Sequence, residues 1–256
     1  MYAFKQMFDN SPLVADNGGH LPVKQPSKNN RSEEGPVHAL RSHTRLLHQV
    51  LENTPTARAL LSPAITLVCY AEHLVIWAAA WKKIEQSLYE SPFAKRVPQL
   101  LPCPRAGLAE ADLAYLYSLE GVRSSHKPLH HSAVDTSSLN PENLSGFIGI
   151  CYVLRGASLG GKVIAKHLES TLAMSVDRGA SFFSAGSGDY LSWDQWIRSA
   201  NQMLSIENDI DLACHWASAT FELLITAFSG STYNASESAL LLCDTGPTNA
   251  RLVGHG

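Results

Sequence analysis

From Pro36 onward, apolar positions recur at helical spacing. Val37, Leu40, Thr44, Leu47 and Leu51 return every three or four residues, which places them on one face of a helix. A second helical stretch runs from about Ile65 to Tyr89. It stops at Ser91-Pro92, because proline cannot donate the helical hydrogen bond and restricts the residue before it. Leu108 to Leu119 reads as a shorter amphipathic helix entered after Pro102 and Pro104. Pro141 followed by Glu142 is a good helix start, and a long helical segment runs from there to about Met174. Trp193 to Met203 and Ile206 to Phe228 complete the set.

The intervening stretches read as loops. Residues 121–142 hold Gly121, Pro128, His130-His131 and Pro141, and Asp177 to Asp189 is rich in Gly and Ser. Residues 1–35 mix Gly, Pro, Asn, Ser and charge without sustained periodicity and read as a mobile extension. Residues 229–256 decay in the same way into a poorly ordered tail. There is no internal repeat and no convincing run of period-two strands. The expected fold is all-α, a single helical domain over residues 36–228.

Composition narrows the function classes. With 256 residues, 45% of them hydrophobic and 17% charged, one large core is within reach. A net charge of −3 gives no pull towards nucleic acid or an anionic membrane, so neither is an expected partner. Ala64 to Trp81 is the most apolar stretch, yet it carries Glu72 and His73, which suits a buried helix rather than a membrane span. The opening MYAFKQMFDN lacks the pattern of a signal peptide. Five cysteines, Cys69, Cys103, Cys151, Cys214 and Cys243, are odd in number and form no C-x-x-C pair. A reduced, cytoplasmic chain is the simpler expectation.

Two segments carry candidate chemistry. In Leu40-Arg41-Ser42-His43-Thr44-Arg45-Leu46-Leu47-His48, residues Arg41, Thr44 and His48 fall on one side of a helix. Arg41 stands two turns from His48, about 10 Å along the axis, which resembles the distance from a porphyrin's iron to its propionates. A neutral imidazole is a good iron ligand, and a cation two turns away can pair with a propionate. A hydrogen-bonded core histidine is the competing reading for His48, and His38 and His43 are competing ligands further off that face.

The second segment runs from Gly149 to Ile164, with Gly156, Gly160 and Gly161 inside a helical pattern. Each interior glycine costs roughly 0.5–1 kcal/mol relative to alanine. The cost implies that backbone must approach something closely, that the helix bends, or that small residues pack one helix tightly on another. No strand precedes the segment, and the phosphate-binding glycine patterns are missing.

Together these segments resemble the heme oxygenase family, particularly its bacterial branch. The first is similar to the family's proximal helix, Leu-Arg-x-x-Thr-x-x-x-His, and the second to its distal helix, Tyr-Val-Leu-x-Gly-x-x-Leu-Gly-Gly. Ala217-Ser218-Ala219-Thr220-Phe221 resembles the late helix that supplies an apolar wall. The likeness covers about residues 36–228 and implies a helical bundle with a kinked, glycine-rich distal helix. It implies that His48 is the iron ligand and that Arg41 pairs with a propionate. It also implies that Gly156, Gly160 and Gly161 lie against the porphyrin face, with Thr44, Tyr152, Leu159 and Phe221 as further contacts. His48, Gly156 and Gly160 would carry the catalytic roles.

Such a protein takes heme as both cofactor and substrate, and yields biliverdin, iron and carbon monoxide. No flavin or nicotinamide fingerprint is present, so an external electron donor, a ferredoxin or a reductase, is implied as a partner. The product would serve iron release or a biliverdin-using photoreceptor. One departure stands out: mammalian members have an aspartate directly after the first distal glycine, where this chain has Ala157. Rival readings are a heme-binding or storage protein without turnover, and a non-heme enzyme on the same helical fold. The second would draw on Cys69 or Cys151 as nucleophile, or on Glu72-His73 and Asp211 with His215 as metal ligands.

Overall fold

Gly35 precedes the first helix of the computed structural model, which describes residues 35–123, 139–184, 188–204 and 206–230. The extension before it, the tail after Gly230 and the His130-His131 pair lie outside the described residues. Helix α1, Pro36–Glu52, opens on a proline and buries Val37, Leu40 and Thr44. Leu47 and Leu51 continue that face half-buried against the core. Asn201 Oδ1 accepts the Val37 N–H at 2.8 Å and ties down the first turn.

Helix α2, Pro55–Leu60, is capped by Thr54, whose side chain accepts from the Ala57 N–H. Its single short stretch is too brief to show a period in the sequence. Helix α3, Leu67–Glu90, begins at a Thr66 cap and ends at Ser91 before Pro92, as the proline dictates. It buries residues around most of its circumference, among them Tyr70, Leu74, Trp77, Trp81 and Leu88. That is the signature of a core helix. Helix α4, Pro92–Arg96, and a 3₁₀ turn at Pro98–Leu100 lead into α5, Ala106–Ser118.

The loop expected from residue 121 starts instead with one helical turn, α6, Glu120–Arg123, pinned by buried Val122. Helix α7, Leu144–Leu172, starts two residues later than Pro141 and Glu142 suggest, because Asn143 Oδ1 accepts the Gly146 N–H at 2.7 Å and sets the cap. It runs unbroken through Gly149, Gly156, Gly160 and Gly161 and ends at Ala173 in the left-handed region, φ 54°. Among the described residues α7 is the one helix long and apolar enough to cross a membrane, and 78% of its apolar window is buried inside the fold. It is the central helix of the core.

The second expected loop also contains a helix, α8, Ser181–Ser184. Its cause lies far away in sequence: the Asp112 carboxylate on α5 accepts the N–H groups of Ser181 and Phe182 at 3.0 and 2.8 Å. An acid from another helix thus performs the N-capping that no local residue announces. Helix α9, Trp193–Met203, follows a Ser192/Gln195 capping box and matches its expected bounds. Helix α10, Glu207–Gly230, carries Glu207 and Asp209 in its first turn.

No strand occurs among the described residues; Ser175 makes only isolated bridges to Arg178 and Gly179. Helix α10 packs against both α7 and α1, α3 packs against α5, and α8 wedges between α7 and α5. Because α1 and α7 rest mainly on α10 rather than on each other, a gap is left between their facing sides.

Candidate functional site

That gap is a partly open cleft between the two helices. Helix α1 contributes His48 and Glu52, and α7 contributes Gly156, Ala157 and Gly160 across from them. Trp77 and Trp81 of α3, with Phe182 and Phe183 of α8, close the inner end. Phe221 and Phe228 of α10 form a further wall. The lining is overwhelmingly apolar, which suits a ligand with an apolar body.

His48 is placed by the inward face of α1. Burial pushes its imidazole down to about 4, so the ring is neutral at physiological pH and has a lone pair to offer a metal. Nδ1 lies 3.2 Å from Glu52 Oε1, one turn further along. The contact is close but imperfectly aligned, and Glu52 Oε1 has no hydrogen-bond partner among the described residues. Burial pushes the Glu52 carboxyl up to about 6, which still leaves it mostly ionised at pH 7. A carboxylate beside Nδ1 favours the tautomer with its proton there, leaving Nε2 as the donor atom for a metal. The Phe221 ring meets the imidazole edge-on, with centroids 5.8 Å apart and planes at 72°.

The glycines of α7 divide into two jobs. A Cβ on Gly149 would stand 2.3 Å from the Ala213 carbonyl oxygen of α10, and one on Gly146 2.5 Å from the Trp216 ring. On Gly161 it would stand 2.7 Å from the Phe183 carbonyl oxygen of α8. These three let other elements approach the backbone, which is the helix-packing reading. Gly156 and Gly160 line the cleft, and Gly161 does both. Bare backbone of α7 therefore faces the imidazole of α1 across an apolar space.

Arg41, Thr44 and Tyr152 gather beside it. The Thr44 hydroxyl donates to the Leu40 carbonyl at 2.8 Å. Burial pushes the Tyr152 phenol up to about 12, against the opposing pull of the nearby Thr44 hydroxyl and of the Arg41 charge. Tyr152 lines the cleft, while Thr44 acts through it and Arg41 flanks it. Leu159 is half-buried and is not part of the lining.

The heme oxygenase family model matches residues 37–230, the whole described domain. The chain belongs to the heme oxygenase family. Solved structures agree on the fold. Heme oxygenase-1 of the cyanobacterium Synechocystis sp. PCC6803, in complex with heme, superposes with a TM-score of 0.62 at 17% identity, covering 82% of this chain and 97% of that one. Heme oxygenase from Leptospira interrogans gives 0.59 at 20% identity, covering 77% and 99%. Heme oxygenase-2 of the same Synechocystis strain, in complex with heme and NO, gives 0.62 at 16%, covering 83% and 88%. A comparison with curated protein sequences gave no match. Membership of this family supports heme binding and heme degradation as the activity.

As a heme oxygenase family site, the cleft includes residues that the motifs alone did not announce. Arg105 reaches it from the start of α5 although only 3% exposed, and the N–H groups of Arg105 Nε and Trp77 Nε1 are buried without partners among the described residues. Two such orphaned donors suit a ligand with acceptor atoms or ordered water of its own. The one sequence signal for them was an arginine just before one helical stretch and a tryptophan in the middle of another, which is too common to single out. The neutral imidazole, the glycine face and the apolar walls all fit heme.

The rival chemistries find less support in the geometry. Burial pushes the Cys69 thiol up to about 11 and raises Cys151 as well, so neither is a ready nucleophile. No group of three or more His, Cys, Asp or Glu side chains with metal-site geometry comes together among the described residues, Glu72-His73 and Asp211 with His215 included.

Proposed function

We propose that this chain opens heme oxidatively to biliverdin, releasing iron and carbon monoxide, and that His48 would hold the heme iron through Nε2. The observation that carries this reading is a neutral, half-buried histidine sharing one apolar cleft with glycine backbone. Bound heme would supply the iron that activates oxygen and the ring that is opened. Glu52 would hold His48 in the ligating tautomer. Arg41, beside Tyr152 at the flank of the cleft, would pair with a propionate. Gly156 and Gly160 would keep side chains out of the space that oxygen needs, so that backbone steers it towards the ring edge. The aromatic walls from α3, α8 and α10 would exclude bulk water and hold the ring's orientation.

Electrons would come from an external donor, a ferredoxin or a reductase, in a cytoplasmic setting. The test is a single turnover with purified protein, heme and ascorbate, followed by chromatography of the pigment. A biliverdin isomer is expected. A stable heme complex that yields no bilin would make the chain a heme-binding protein instead.

A further inference from the structure

The inner end of the cleft is closed by a wall with little hold of its own. Helix α8 is four residues long, too short to be stable in isolation. Its two middle residues, Phe182 and Phe183, are each 2% exposed and line the cleft. Their rings meet Trp77 edge-on, with centroids 5.9 and 5.4 Å away, and Phe182 meets Trp81 in the same way at 5.5 Å. Aromatic rings packed at these angles give the wall a definite shape.

The hold comes from outside the cleft. Asp112 of α5 is 3% exposed and is not among the lining residues. Its Oδ1 accepts the Ser181 N–H at 3.0 Å and the Ser181 hydroxyl at 2.8 Å, and its Oδ2 accepts the Phe182 N–H at 2.8 Å. Tyr70 Oη donates to the Gly179 carbonyl at 2.7 Å and fixes the chain just before the helix. On the α7 side, the bare backbone of Gly161 admits the Phe183 carbonyl. Both oxygens of one buried carboxylate are therefore committed to placing the wall, and bonds to an ionised group are roughly twice as strong as neutral ones.

We propose that Asp112 is a positioning residue for heme opening: by holding α8 from behind it fixes the Phe182–Phe183 wall, and that wall selects the in-plane orientation of the ring and so which meso carbon is opened. The inference rests on the heme-opening function proposed above. Ligation through His48 does not set that orientation, because a ring turned about the iron–imidazole bond keeps the bond. The edge of heme carries methyl and vinyl groups as well as propionates. Each quarter turn brings different groups against the wall, and a different meso carbon to the place where oxygen is steered. An apolar surface of fixed shape tells such groups apart by roughly 10- to 200-fold. A wall free to shift loses that discrimination.

The experiment compares wild type with Asp112→Asn, which keeps the size of the side chain but turns an N–H donor towards groups that need an acceptor. In the heme-free protein, hydrogen exchange at the Ser181 and Phe182 amides should quicken about tenfold or more, with α9 unchanged. In the ferric heme–cyanide complex, proton NMR of the heme methyl groups should show resonances that wild type lacks, amounting to about a tenth of the total or more. Bilin from the variant should likewise be a mixture, where wild type gives a single isomer. Heme affinity should stay within about threefold, since His48 and its Glu52 partner are untouched. Phe183→Ala leaves the cap in place and should mix the isomers without quickening exchange at Ser181; it serves alone if Asp112→Asn does not fold. Unaltered methyl resonances and a single unaltered isomer in both variants overturn this inference and leave the function intact, as does a mixture of isomers from wild type. Failure of the wild-type chain to form bilin overturns both.

Discussion

His48 Nδ1 and Glu52 Oε1 stand 3.2 Å apart on successive turns of α1. The pair couples the orientation of the imidazole to the helix that carries it, and it makes two expectations. Glu52→Gln should keep the fold but weaken heme affinity about tenfold, the usual cost of losing an outer-sphere carboxylate. A heme titration followed by absorbance would measure it. His48→Ala should remove the histidine-ligated Soret spectrum and most turnover, and added imidazole should restore the spectrum by filling the space. A normal spectrum without imidazole would remove His48 from the ligand position.

The two kinds of glycine on α7 should separate by assay. Gly149→Ala pushes a methyl onto the Ala213 carbonyl oxygen and should destabilise the fold by about 1–3 kcal/mol in urea unfolding. Gly160→Leu fills the cleft instead and should abolish bilin formation with a smaller change in stability. If Gly160→Leu turns over at the wild-type rate, backbone access on α7 is not what the reaction needs.

Much of this arrangement was legible in the sequence because it is periodic or local. The spacing of Val37, Leu40 and Thr44 gave α1 its inward face, and Ser192 with Gln195 fixed the start of α9. Of the residues that the three motif segments named, His48, Tyr152, Gly156, Gly160, Gly161 and Phe221 line the cleft, whereas Arg41, Thr44 and Leu159 do not. What stayed hidden depends on long-range contact. Helix α8 exists because Asp112 caps it from α5, and nothing near Ser181 says so. Arg105 enters the cleft through its bonds to Glu85 and Ser158, 20 and 53 residues away. The late start of α7 follows from Asn143 outcompeting the proline signal two residues earlier.

Acid should weaken the heme-free protein through His73. This residue of α3 is buried, its Nδ1 has no partner among the described residues, and burial pushes its imidazole down to about 4. Its folded value lies below the unfolded one, so no penalty exists above pH 6.5. As pH falls from about 6.5 to 4 the unfolded chain gains a proton that the folded chain refuses, and stability drops by up to about 3 kcal/mol. His48 acts in the same direction, and Glu52, raised to about 6, acts in the opposite one. Comparing wild type with His73→Leu at pH 7 and pH 4.5 isolates the effect: the gap between them should narrow or reverse at the lower pH. A gap independent of pH would show that His73 does not titrate in this way.

The ion pair between Arg155 Nη1 and Asp189 Oδ2, 2.7 Å long with both side chains nearly fully buried, anchors the chain before α9 to the middle of α7. Arg155 Nη2 also donates to the Leu191 carbonyl at 2.5 Å, and Asp189 accepts the Cys103 N–H at 2.8 Å. Arg155→Met strands a buried carboxylate and should cost about 3–5 kcal/mol of stability. Arg155→Met combined with Asp189→Leu should recover a large part of that loss. If the double variant is no more stable than the single one, the pair is not a closed charge unit.

Helix α7 is apolar enough to pass for a membrane segment, and the surface that hides it belongs largely to α10, the last helix described. During synthesis the greasy middle of the molecule therefore emerges well before its cover. A nascent chain halted before Glu207 presents that helix bare, as an invitation to chaperones or to self-association. Expression of a fragment ending near residue 204 should give insoluble protein, although it retains His48 and every distal glycine.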